Sequence, residues 1–161
     1  MTEKRRLFAD ELRARIKGSP AIVGIGNLLR GDDGLGPALI GKLKEKGIRA
    51  KLFDCGTAPE NYIIPILSSS CDTVILIDAA DMGIPPGEAR IFGIDQISNV
   101  GFSTHNPSPR LFVDLLKTGR DDVNVFVLSV QPKGTALGEG LSEEVKAGLD
   151  SLTEIFRDVL A

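Results

Sequence analysis

The chain predicts an α/β fold: a three-layer sandwich with a mostly parallel, five-stranded sheet and helices on both faces. Three observations lead there. Short apolar runs bounded by turn formers alternate with longer segments whose apolar residues recur every three or four positions, the pattern of strands joined by right-handed helical crossovers. The run Thr73-Val74-Ile75-Leu76-Ile77 is almost wholly apolar, as a central parallel strand buried on both faces must be. The stretch from Ala21 to Pro37 passes from an apolar strand through a glycine-studded loop into a helix, with two adjacent acids, Asp32 and Asp33, on the loop. At 161 residues, without internal repeat or low-complexity segment, a single domain spanning 1–161 is expected.

Taken in order, Glu3 to Lys17 reads as an amphipathic helix with Leu7, Phe8, Leu12 and Ile16 close to one face, ended by Gly18-Ser19-Pro20. Pro20 to Ile25 is too short for a helix and reads as the first strand. The next helix is expected from Pro37 to Lys46, since proline suits a first turn. Its inward residues are Leu39, Ile40 and Leu43, its lysines gather where the dipole favours cations, and Gly47 stops it. Ile48 to Asp54 reads as the second strand. Thr57-Ala58-Pro59-Glu60 spells a capping box for a helix to about Leu67. Asp72 to Ile77 is the third strand, Ala79 to Gly87 a loop, and Glu88 to Phe92 a short strand suited to an antiparallel edge. Ile94 to Gly101 is ambiguous, with a helical turn as one reading. Asn106 and Pro107 suit the cap and first position of a helix with Leu111, Phe112, Leu115 and Leu116 inward. Val123 to Val130 is the fifth strand. The last helix starts near Ser142 and carries the stripe Val145, Leu149, Leu152, Phe156 and Val159.

Composition narrows the function. A net charge of −3 leaves no basic footprint for nucleic acid. Cys55 and Cys71 form neither a metal spacing nor a disulfide framework, so a reducing compartment is the default. Lys4-Arg5-Arg6 is not followed by an apolar run, which argues against a signal peptide. No stretch of 18 apolar residues is present to span a membrane. A cytoplasmic location is the expectation. A single histidine, His105, is available for any imidazole chemistry.

A phosphate cradle fails on spacing and charge. A dinucleotide fingerprint would need glycine where Leu29 stands, and a P-loop would need Gly-Lys-Ser/Thr where Gly31-Asp32-Asp33 stands. Two carboxylates at a helix entrance repel a pyrophosphate and attract a cation. Either acid could instead cap the helix or shape the turn. With parallel strands, Asp33, Asp54 and Asp78 fall at or just beyond strand carboxyl ends, the edge where open α/β sheets bind ligands. Asp78 ends an apolar strand, which is costly unless the acid is paired or ligated; a cap or salt-bridge role is the alternative. His105 lies in the polar run Ser103-Thr104-His105-Asn106. Two carboxylates and an imidazole form a mixed oxygen and nitrogen set for a borderline divalent metal such as nickel, zinc or iron, with positions open to water or substrate. Cys71 is expected to be structural. Cys55 adjoins the site, either as a small buried hydrophobe or as a thiol.

Four segments carry a resemblance: Gly24 to Pro37, Asp54 to Glu60, Leu76 to Gly83, and Thr104-His105-Asn106. In order and spacing they resemble the hydrogenase maturation endopeptidases, which trim the C-terminal tail of [NiFe] hydrogenase large subunits, and in detail the branch that processes hydrogenase 3-type enzymes. The resemblance implies a protease that makes one cut in the nickel-loaded large-subunit precursor, just after its last cysteine-containing motif. It further implies that nickel arrives with the substrate, and that Asp33, Asp78 and His105 dock that ion and serve as catalytic and metal-binding residues. It assigns Asp54 to substrate recognition, in a turn where Cys55 replaces a family glycine. Cleavage would use either carbonyl polarisation by the ion or water activation by a carboxylate, as in an aspartyl-type protease. The alternatives are a non-catalytic, nickel-sensing assembly chaperone and a Rossmann-like nucleotide binder using Asp54 on a ribose.

Overall fold

The computed structural model describes residues 1–99, 101–102 and 109–161. Its strands are β1 (Pro20–Ile25), β2 (Lys51–Gly56), β3 (Thr73–Asp81), β4 (Ala89–Gly93), β5 (Gly101–Phe102) and β6 (Asn124–Val130). Its helices are α1 (Glu3–Arg15), α2 (Leu35–Glu45), α3 (Ile63–Ser68), α4 (Pro109–Gly119) and α5 (Glu143–Val159). Five strands form one sheet in the order β2-β1-β3-β6-β4; β1, β2, β3 and β6 are parallel, and β4 is an antiparallel edge. The two-residue β5 lies off this path and pairs antiparallel with the end of β3. The expected architecture and all five expected strands are present.

Alternation along the central strands sorts the core into two layers. Ile75 and Ile77 of β3, with Phe126, Leu128 and Val130 of β6, face α1, α2 and α5. Val74 and Leu76, with Val125 and Val127, face α3 and α4. Each fully buried Leu, Ile or Phe removes enough apolar surface to favour folding by about 1.5–3 kcal/mol. The parallel strands therefore need apolar residues on both faces, as their sequences show.

The α2 N-terminus packs directly over β1 and β3. A Cβ at Gly36 would stand 2.4 Å from Ile25 O and 2.7 Å from Ile77 O, so only glycine allows this approach. That contact draws the preceding loop onto the sheet.

Four local expectations are corrected. Residues Gly31–Gly34 form a 3-10 turn, and α2 begins at Leu35 rather than Pro37. Pro37 then occupies the third helical position, where its missing N–H still costs no intrahelical bond. Thr57 caps no helix, because Ala58 N donates to Cys55 O and closes a turn around it. A 3-10 turn, Pro59–Tyr62, precedes α3. β3 continues four residues beyond Ile77, since Asp78 and Ala79 still pair with Ser129 and Val130. On α4, Phe112, Val113 and Leu116 are buried, whereas Leu111 and Leu115 are 56% and 39% exposed. Phe112, Val113 and Leu116 form the narrower inward stripe. The ambiguous segment is a 3-10 turn, Ile94–Asn99. The expected cap at Asn106 and helix start at Pro107 lie outside the described residues.

Candidate active site

The chain leaves β1 through α2 to β2 on one side and returns through α3 to β3 on the other. β1 and β3 are adjacent, so a crevice opens between their carboxyl ends, the point where doubly wound sheets place ligands. Asp33, just after β1, and Asp78, within β3, both stand at this edge, and both are essentially fully buried at 0% and 1% exposure.

The Asp32-Asp33 pair divides its roles. Asp32, 1% exposed, is held entirely by protein donors. Its Oδ1 accepts from Ser142 N at 2.7 Å; its Oδ2 accepts from Lys133 N at 2.8 Å, Ser142 Oγ at 2.9 Å and Gly134 N at 3.2 Å. This carboxylate ties the loop after β1 to the 131–142 loop and to the N-cap of α5, whose Ser142 Oγ also accepts from Val145 N. Asp32 is structural. Asp33 sits beyond Gly26, where a Cβ would meet Asp33 O at 1.9 Å and whose φ of +148° also favours glycine. The Oδ2 of Asp33 accepts from Asn27 N at 3.0 Å, an anchor that fixes the carboxylate at the sheet edge.

Asp78 is the most perturbed carboxyl. Burial first, and the negative charge of Asp33 second, push it well above the usual carboxylate range; the Ala79 N–H, donating to Oδ1 at 2.8 Å, pulls the other way. The coupling places the two acids within electrostatic reach of each other. The second oxygen, Oδ2, is buried and has no hydrogen-bond partner among the described residues. A buried carboxylate with an empty lone-pair side is suited to a cation or a proton donor supplied by a ligand.

Asp54 stands exposed near the end of β2, in register with Gly24 of β1, its Oδ1 accepting from Gly56 N at 3.2 Å. Cys55 points the other way, into the apolar layer with Val23, Ile25 and Ile66. Burial and, less strongly, Asp54 push its thiol up to about 12, so it is a protonated thiol packed as a small hydrophobe rather than a thiolate. Cys71 is also buried, its thiol donating to Ile66 O. His105 lies outside the described residues, so the expected triad has two described members. Among the described residues no three His, Cys, Asp or Glu side chains converge on one metal position.

The family model for HycI, described as hydrogenase maturation protease, matches residues 37–158, more than half of the chain. The chain belongs to the hydrogenase maturation protease family. It is 34% identical over 131 residues to the hydrogenase 3 maturation protease of Escherichia coli K12, covering 80% of this chain and 82% of that protein. The crystal structure of a [NiFe] hydrogenase maturation protease HycI from Thermococcus kodakarensis KOD1 superposes with a TM-score of 0.80 at 30% identity, over 93% of this chain and 98% of that one. The solution structure of the endopeptidase HycI from E. coli gives 0.76 at 31% identity, over 84% and 87%. As a hydrogenase maturation protease, the chain is a peptidase, and its five-stranded, mostly parallel α/β sheet is the fold of these relatives. No described helix is long and apolar enough to cross a membrane.

Sequence reasoning singled out Asp33 and Asp78, and the structure brings them together. Of the two adjacent acids the resemblance picks out Asp33, and the structure shows Asp32 held by donors of Lys133, Gly134 and Ser142. In register with Asp78 stands Ser129, which the sequence reading does not single out: its hydroxyl is buried and has no hydrogen-bond partner among the described residues, between Leu128 and Val130 of an apolar strand.

Proposed function

We propose that this protein removes the C-terminal extension of a nickel-loaded [NiFe] hydrogenase large-subunit precursor with one endoproteolytic cut, acting in the cytoplasm as a single domain. Asp33, Asp78 and His105 dock the nickel that the precursor carries, and the docked ion reports that loading is complete. Asp54, exposed beside the crevice, contacts the precursor.

The observation that carries this reading is the Asp78 carboxylate: buried, beside a second buried acid, with Oδ2 lacking any described partner. A protein holds two carboxylates this way at a cost in stability, which a divalent ion offsets when it arrives. Carboxylate oxygens with one imidazole nitrogen make the mixed set that borderline divalent ions accept. The docked ion polarises the scissile carbonyl. Asp78, whose proton affinity is raised, is placed to take the proton of the attacking water.

The test is processing by single variants. Asp33→Asn, Asp78→Asn and His105→Ala should each remain folded by circular dichroism and leave a nickel-loaded precursor uncut. Full cleavage by any two of them would sink the triad.

A further inference from the structure

Ser129 is fully buried, and its Oγ has no hydrogen-bond partner among the described residues. On β6 it is the register partner of Asp78. Val125 and Val127 share its face of the sheet, as Val74 and Leu76 share that of Asp78, so both polar side chains project to the α3 and α4 side. Strands in one sheet run about 4.8 Å apart, so the two groups stand side by side, yet no hydrogen bond joins them. Arg90, the partner of Ser129 on β4, is exposed and gives it no bond. Two neighbouring buried polar atoms without partners are an exception among folded proteins, and a bound water is the commonest resolution.

We propose that Ser129 is a catalytic residue of this site: its Oγ and Oδ2 of Asp78 hold the water that attacks the scissile peptide. The inference rests on the peptidase reading above. The water donates one O–H to Oδ2 of Asp78 and the other to Oγ of Ser129, which leaves its lone pairs directed at the substrate. Each carboxylate oxygen offers two lone-pair directions, so Oδ2 can face the substrate's ion and the water together. On attack, the water oxygen bonds to the scissile carbonyl carbon, and its proton passes to Oδ2 of Asp78. The carbon–nitrogen bond then breaks, and that proton goes to the leaving amine. Ser129 forms no covalent bond; its hydroxyl fixes where the water sits.

The experiment compares wild type, Ser129→Ala and Ser129→Thr in the full-length protein, with a nickel-loaded large-subunit precursor as substrate. Ser129→Ala should lower kcat about tenfold, the loss expected for one hydrogen bond in the transition state. KM should stay within about a factor of two. The Tm should be unchanged or higher, because a buried orphan hydroxyl has been removed. A merely structural serine would instead show a lowered Tm and an unchanged kcat. Ser129→Thr retains the hydroxyl and should recover the rate. Should its added methyl prevent folding, a wild-type crystal structure decides, with an ordered oxygen expected within hydrogen-bond distance of both Asp78 Oδ2 and Ser129 Oγ. Wild-type cleavage with an unslowed Ser129→Ala, or no ordered oxygen between the two atoms, overturns this inference alone. An uncut precursor with the wild-type protein overturns the proposed function with it.

Discussion

Removing the Asp32 carboxylate should unfold the site from behind. Asp32→Ala strips the acceptor from four donors at once, namely Lys133 N, Gly134 N, Ser142 N and Ser142 Oγ. A hydrogen bond to a charged group contributes about 1.5–3 kcal/mol, and a buried donor left bare costs about 1–3 kcal/mol. Relaxation of the 131–142 loop and entry of water recover part of this, so the net loss should be about 3–5 kcal/mol. That is a large share of the ~5–15 kcal/mol that holds a typical domain folded. For a chain of this length each kcal/mol moves Tm by about 2–4 °C, so Asp32→Ala should melt about 10 °C below wild type. Asp32→Asn should fall between the two, because its amide turns donors towards donors. Asp33→Asn keeps an acceptor for Asn27 N and relieves its repulsion of Asp78, and should stay within about 3 °C of wild type. Thermal unfolding of all three by circular dichroism is the assay. An Asp32→Ala variant melting within about 2 °C of wild type would refute the division of roles between these neighbours.

Two further outcomes follow from the same crevice. The folded protein holds the Asp78 proton more tightly than the unfolded chain does. Stability from this group is therefore fully present below about pH 4 and lost as pH rises towards the folded value, by about 1.4 kcal/mol per pH unit. Asp78→Asn removes that slope, so its Tm should exceed wild type by a margin that widens as pH rises above about 4; parallel Tm curves would contradict the burial argument. Cys55 packs as an apolar group, so Cys55→Ala should lose about 1–2 kcal/mol of stability yet process precursor at an undiminished rate. Loss of cleavage in a folded Cys55→Ala would instead make the thiol part of the site.

The sheet was legible because its strands are apolar runs separated by strong punctuation, and five such runs became five strands. Asp78 interrupts the apolar run at Ile77, where local pattern alone ends β3; pairing with β6 as far as Val130 carries the strand on, a long-range contact that overrides local propensity. The capping box at Thr57 failed for a similar reason, since the turn closed by Ala58 N and Cys55 O takes the residue before a helix can. On α4 two apolar pairs, Leu111-Phe112 and Leu115-Leu116, offered several possible stripes, and packing chose the one that includes Val113. In the site, the carboxylates were legible from their places after strands. The structural duty of Asp32 was not, because its partners lie about a hundred residues away in the chain.

Mass spectrometry of a large-subunit precursor incubated with this protein, nickel-loaded beside nickel-free, tests the central claim most directly. The account predicts loss of one defined C-terminal peptide from the nickel-loaded precursor and an intact nickel-free one. Equal cleavage of both would leave a peptidase but contradict nickel recognition by Asp33, Asp78 and His105. Tight binding of the loaded precursor without any cut would contradict catalysis by this site.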